Sequence, residues 1–398
     1  MKRMPAFINK NTVKFIIEGK KVSNEYLLKH CRCKPELLEK WLNESSAVYP
    51  LINQAKKLAF CLHVPFAALY MNSCDIKIKS IPTIRNYRTI QNSEAIDDSL
   101  LNITIQDMMI TRDFLLEARN CMQLPPAKFN DLTPESNDPK VWSERIRQYF
   151  SIDINHQFNC SNSREFYLYL RRKIEEKGLF IYCFNGIDVE IIRGIAISDE
   201  VMPMIGINVK DRYPAKIFSI IHELVHIYKR QSSFCNEMKS SFETKQEEKF
   251  CNAVAGEFLV PSYEIHNLLS NDEVNSIDYI LIKSLAQKFK ISKDVIIRKL
   301  FDLEIISDRQ YNEFNEQVKK ELDGVANSNG KVNQRKNKRN TSRSMYKSII
   351  VKISSSICKV LYEGYCRAIY DDIDISNYLG LDVNQVKLFL QEVEKWDS

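Results

Sequence analysis

The strongest constraint on this chain is a largely apolar helical run from about Ala215 to Arg230 that contains His222-Glu223-Leu224-Val225-His226. Its flanks, IFSII before and IYK after, suit a helix. On a helix, residues four apart stand one above the other, so both imidazoles can face a single metal ion. Zinc suits two neutral imidazoles at about 2.0–2.1 Å and needs at least one more protein ligand. Glu223 is not a ligand in this scheme. It sits beside the open coordination position, where it can take a proton from water.

The next helical run, Glu247 to Pro261, supplies the third ligand. Glu248, Cys251, Asn252 and Ala255 form one stripe at i, i+3, i+4 and i+7. Glu248 can therefore face the metal, while the small residues allow close approach to the first helix. A His2Glu set is that of thermolysin-like sites. Glu247 and Glu243 are rivals that point to other faces. Asn252, one turn on from Glu248, is placed to accept a hydrogen bond from a ligand imidazole and fix its tautomer.

HELVH followed by ExxCNxVAxEFLVP closely resembles the ImmA/IrrE family of zinc metallo-endopeptidases, whose pattern is HExxH and then ExxANxFAxxLLxP. Cys251 stands for the usual alanine, Val254 for phenylalanine and Val260 for methionine; all are conservative in size or polarity, and none is expected to touch a ligand. The chain resembles the longer members, which carry a repressor-like helix-turn-helix, an IPxxR segment (here Ile81 to Arg85), the peptidase and a helical tail. The resemblance implies hydrolysis of a peptide bond in a protein substrate. That substrate class is repressor-type transcription factors, often encoded beside the protease and often on mobile elements. It also implies one zinc ion per chain, with His222, His226 and Glu248 as ligands and Glu223 as general base. Tyr213 and Tyr228 are oxyanion candidates by proximity in sequence alone. The rival reading is a non-enzymatic, antitoxin-like regulator that binds a partner or DNA and keeps zinc as a scaffold.

The pattern along the chain predicts an α+β, mostly helical protein. Residues 1–75 read as a five-helix, repressor-like helix-turn-helix domain, and 76–160 as a helical connector. A zincin-like domain follows at 161–270, then a helix-turn-helix-like extension at 271–322. Residues 323–345 are almost devoid of apolar side chains and read as a flexible basic linker. A small helical domain closes the chain at 346–398. Within the zincin-like part, strands are expected at 179–184, 189–197 and 202–209, forming a small antiparallel sheet. Pro203 marks the last as an edge strand, and its Met204–Asn208 stretch is the natural place for a substrate to add.

Charge does not by itself single out a partner. The chain's net charge is +6, and the predicted recognition helix, Pro35 to Asn43, carries Glu36 and Glu39 against Lys40, a poor match for phosphates. DNA contact is therefore weakly supported and a protein partner fits as well. The N-terminus lacks a signal-peptide core, no run is apolar enough to span a membrane, and the eleven cysteines follow no disulfide spacing. A cytoplasmic protein with reduced thiols is expected.

Overall fold

A computed structural model describes residues 4–76, 78, 98–123, 134, 136–229, 241–269, 276–329, 342–379 and 381–397. The protein is mostly helical with one small sheet, an α+β arrangement. The chain divides into two compact units. One comprises 1–83, 89–114 and 184–192; the other comprises 84–88, 115–183 and 193–398.

The first unit opens with α1 (Lys10–Gly19), α2 (Asn24–Cys31), α3 (Pro35–Leu42) and α4 (Ile52–Cys61). Val13, Ile16, Leu27, Leu38, Trp41, Leu58 and Leu62 interlock as its core. The fifth expected helix is a short 3-10 turn, Phe66–Tyr70. Pro65 starts it, and bonds such as Ala68 N–H to the Pro65 carbonyl set the tighter winding. Lys10 is buried because its ammonium donates to the carbonyls of Lys40 (3.1 Å), Asn43 (2.9 Å) and Ser46 (2.6 Å), completing the end of α3. Glu36, Glu39 and Lys40 are exposed on α3. The helix α5 (Asp98–Cys121) follows. The IPxxR segment and the extended piece through Arg88 lie outside the described residues.

In the second unit, α6 (Pro139–Phe150), α7 (Ile154–Asn159) and α8 (Ser163–Glu175) precede β1 (Phe180–Phe184), β2 (Gly194–Ile197) and β3 (Met204–Asn208). Asn162 caps α8 by accepting from the Glu165 N–H, and Gly178, three residues beyond the helix end, turns the chain at φ +88°. The strand order is β1-β3-β2, with β2 and β3 antiparallel and Gly194 opposite Ile207. Each strand reverses the one before, so β1 and β3 run the same way. The sheet is mixed, not antiparallel.

Two further expectations are corrected. Residues 189–193 are not strand: Asp188 captures the Ile191 and Ile192 N–H groups with its carbonyl and Glu190 N–H with its carboxylate, making a turn. Met204–Asn208 is the central strand, so neither of its sides is free for a substrate. Pro203 lies just outside the ladder, and its carbonyl accepts from Phe180 N–H at 3.0 Å, so its missing N–H costs no pairing. The outer positions belong to β1 and β2.

The helix α9 (Tyr213–Tyr228) packs on β2, β3 and α8, and α10 (Ser241–Leu259) packs on α9 and α6. Ile217, Ile220, Ile221, Leu224, Val225 and Ile227 are all buried, as a helix apolar on every side requires. The Lys216 ammonium donates to the Val209 carbonyl (2.8 Å), tying α9 to the end of β3.

The C-terminus of α10 ends inside the protein, where its open carbonyls need donors. Arg147 provides them. Its guanidinium donates to Phe258 O (2.9 and 2.6 Å), Ile152 O (3.1 Å) and Gln157 Oε1 (2.6 Å). Gln157 in turn donates to Leu259 O (3.0 Å) and Phe289 O (2.8 Å). This network anchors the helix that bears Glu248. Arg147→Ala strands several buried acceptors and is expected to cost about 3–5 kcal/mol, at roughly 1–3 kcal/mol for each orphaned group. A urea midpoint falling at unchanged slope checks it.

The helices α11 (Ser262–Leu268), α12 (Tyr279–Phe289), α13 (Lys293–Asp302) and α14 (Asp308–Asn329) complete this part, followed by α15 (Ser342–Ile353), α16 (Ser355–Cys366), α17 (Asp372–Leu379) and α18 (Val383–Asp397). Helix therefore occupies 323–329 and 342–345 of the expected basic linker, and residues 330–341 lie outside the described ones. Among the described residues, no helix is long and apolar enough to cross a membrane, and every cysteine is a free thiol.

Candidate metal centre

Two helices and one strand build the site. His222 and His226 project from α9 one turn apart, and α10 brings Glu248 across to them. His222 Nε2 lies 3.1 Å from His226 Nε2, and Glu248 places Oε2 at 3.2 Å from the first and Oε1 at 3.2 Å from the second. These three are the group of potential metal-binding side chains found among the described residues. Donors bound at about 2.0–2.1 Å to a tetrahedral zinc stand about 3.3 Å apart. The observed triangle fits that edge length, and its chemistry, two imidazoles and one carboxylate, fits a catalytic zinc with one position left open.

Both histidines are buried, whereas the Glu248 side chain is 29% exposed. Solvent therefore reaches the site past Glu248. Phe218, one turn before His222, stacks on its ring at 6.2 Å between centroids. On the far side of the other ring, Cys251 Sγ stands 3.6 Å from His226 Nδ1. Asn252, expected in that role, is exposed on α10. The thiol one residue earlier occupies the place instead.

Electrostatics agree with this geometry. Burial favours a neutral Glu248, but hydrogen bonds from His222 and His226 prevail and hold its carboxyl well below the usual range. Burial likewise disfavours charge on His226, yet the contacts with Cys251 and Glu248 raise its pKa well above the ordinary imidazole value.

Glu223 is fully buried, and it lies against the backbone of β2. A Cβ added to Gly194 would stand 2.6 Å from Glu223 Oε1 and 2.8 Å from its Cγ. Only glycine lets the strand and this carboxylate approach so closely. The motifs do not single out Gly194, although a glycine within an apolar strand is the signal for such a close approach. Tyr213 opens α9 and packs beside Tyr167; nine residues separate it from His222, roughly 13 Å along a helix. Tyr228 follows His226 by two residues and points to another face. Glu247 is not in the cluster, and the Glu243 side chain is outside what is described.

A buried HExxH helix, a carboxylate from the next helix and a small sheet whose second strand lies against Glu223 together suit a metallopeptidase-type domain. Residues 183–301 match the family of the IrrE N-terminal-like domain, Peptidase_M78. This domain runs from the end of β1 into α13, and the match is consistent with the resemblance to the ImmA/IrrE family that the motifs carry. None of the curated proteins matches the chain.

Proposed function

We propose that this chain is a zinc-dependent endopeptidase that cleaves a specific protein substrate, a repressor-type regulator or another partner encoded beside it. The observation that carries the reading is the triangle of His222, His226 and Glu248 donors at 3.1–3.2 Å, with Glu223 adjacent in sequence on the same helix. The family itself is typically zinc-dependent.

When bound, zinc supplies Lewis acidity to the scissile carbonyl and acidifies a water molecule. The residues of the chain do the rest. His222, His226 and Glu248 hold the ion and leave one side open. Glu223 accepts the proton from the attacking water and delivers it to the departing amine nitrogen. Its contact with Gly194 keeps the carboxylate in one orientation. The outer position of β2, beside that contact, supports strand addition by an extended substrate passing through the site. A segment bound this way need not present a terminus, which favours internal cleavage. The free thiols among the described residues suit a cytoplasmic setting. The intact general base distinguishes this reading from that of a zinc-stabilised binding protein.

The test is incubation of the full-length protein with the regulator encoded beside it, with bound zinc quantified. One zinc per chain and cleavage that stops with a chelator and returns with zinc support the proposal. One zinc per chain without cleavage of any co-encoded protein overturns the enzyme and leaves a zinc-stabilised binding partner.

The raised pKa of His226 adds a further prediction. Its imidazolium must lose a proton before it can ligate, so zinc binding releases that proton. Affinity should strengthen about tenfold per pH unit while His226 is protonated and level off once pH passes its raised pKa. Calorimetric titration in two buffers of different ionisation enthalpy counts the released proton.

A further inference from the structure

Of the three departures from the family pattern, Cys251 falls beside the metal centre. We infer that Cys251 is a positioning residue for the metal centre: its sulfur accepts the Nδ1 proton of His226 and so directs the Nε2 lone pair toward the ion. This rests on the zinc reading given above.

The geometry separates the two sides of one ring. His226 Nε2 faces Glu248 Oε1 at 3.2 Å, and Nδ1 faces Cys251 Sγ at 3.6 Å. A neutral imidazole carries its single proton on one nitrogen and can ligate only through the other. A partner that accepts from Nδ1 selects the tautomer whose Nε2 is free. Sulfur is a weak acceptor, but Cys251 and His226 are both buried, so little water competes for the proton. The contact is also built in by helix geometry. Cys251 follows Glu248 by three residues, so one face of α10 contributes a ligand and the support for a second ligand. Asn252 is exposed and cannot serve. Alanine at position 251 would leave the Nδ1 proton without this acceptor.

The test compares wild type, Cys251→Ala and Cys251→Ser as full-length proteins, titrating zinc against a chelator of known affinity at one pH. The melting temperature of each metal-free protein monitors packing. Loss of an outer hydrogen-bond partner typically weakens metal binding about 10–100-fold, and that is the expected loss for Cys251→Ala. The serine hydroxyl restores an acceptor and should return affinity to within about threefold of wild type. Cys251→Val fills the site without accepting a proton and should bind as weakly as the alanine variant, which keeps the comparison available if alanine impairs folding. Wild-type affinity in Cys251→Ala, or serine no better than valine, overturns the inference while leaving the zinc reading intact. A wild-type protein that takes up no zinc overturns the zinc reading, and the inference with it.

Discussion

Glu223→Gln is expected to keep one zinc per chain and lose peptide hydrolysis by roughly 10²–10⁴-fold, the range for removing a positioned general base. The reasoning begins with packing. Glu223 is fully buried against Gly194, and glutamine matches its shape, so the helix and the metal ligands have no cause to move. What changes is that an amide cannot take a proton from water. The three donor side chains are untouched, so zinc content and the melting temperature of the loaded protein should stay at wild-type values. Parallel loss of zinc would mean that Glu223 supports the ligand set. Undiminished cleavage would remove it from the chemistry altogether.

The contrast between Glu248 and Asn252 shows how far helical periodicity carries. Successive residues on a helix are about 100° apart, so Cys251 and Asn252 lie on either side of Glu248. Helical spacing alone puts Glu248 in the middle of the face turned toward α9. In the structure, the fully buried residues of α10 include Cys251, Val254, Ala255 and Phe258, which centre the face roughly 60° away on the Cys251 side. Glu248 therefore sits at the margin of the buried stripe, part-exposed, and Asn252 falls beyond it. The apolar residues themselves carried that information. A ligand at the edge of a buried face is what an accessible site needs, because substrate must reach the ion from the solvent side.

Strand order was not legible in the same way. Pattern and turn residues located β1 and β3 closely, because alternation and burial are local properties. The placing of β3 between β1 and β2 depends on which surfaces pair across the fold, and Pro203 misled because its effect stops one residue short of the ladder. Asp188 misled in the opposite direction. The apolar residues after it suggest a strand, but its own carbonyl and carboxylate bind the neighbouring N–H groups first. Both cases reflect competition for backbone hydrogen bonds, which residue type alone does not decide.

Gly194→Ala gives the second large effect, through a residue with no chemistry of its own. The added methyl would meet Glu223 Oε1 at 2.6 Å, where ordinary contact needs at least about 3.4 Å, so either the carboxylate or β2 must yield by close to 1 Å. A displacement of that size at a reacting group can cost on the order of 10²-fold in rate. Hydrolysis should therefore fall about a hundredfold, while zinc content holds at one per chain because the atoms nearest the new methyl belong to Glu223 and not to a ligand. Overpacking of a buried site also costs about 1–3 kcal/mol of stability, so rates are to be compared well below the lowered melting temperature. The double variant separates the two origins of the loss. If Gly194 matters because it accommodates Glu223, adding Gly194→Ala to Glu223→Gln should reduce the residual rate by much less than a hundredfold, since residues acting as a unit are strongly non-additive. Full multiplication of the two losses would instead assign Gly194 to the substrate's path along β2, with the general base left where it stands.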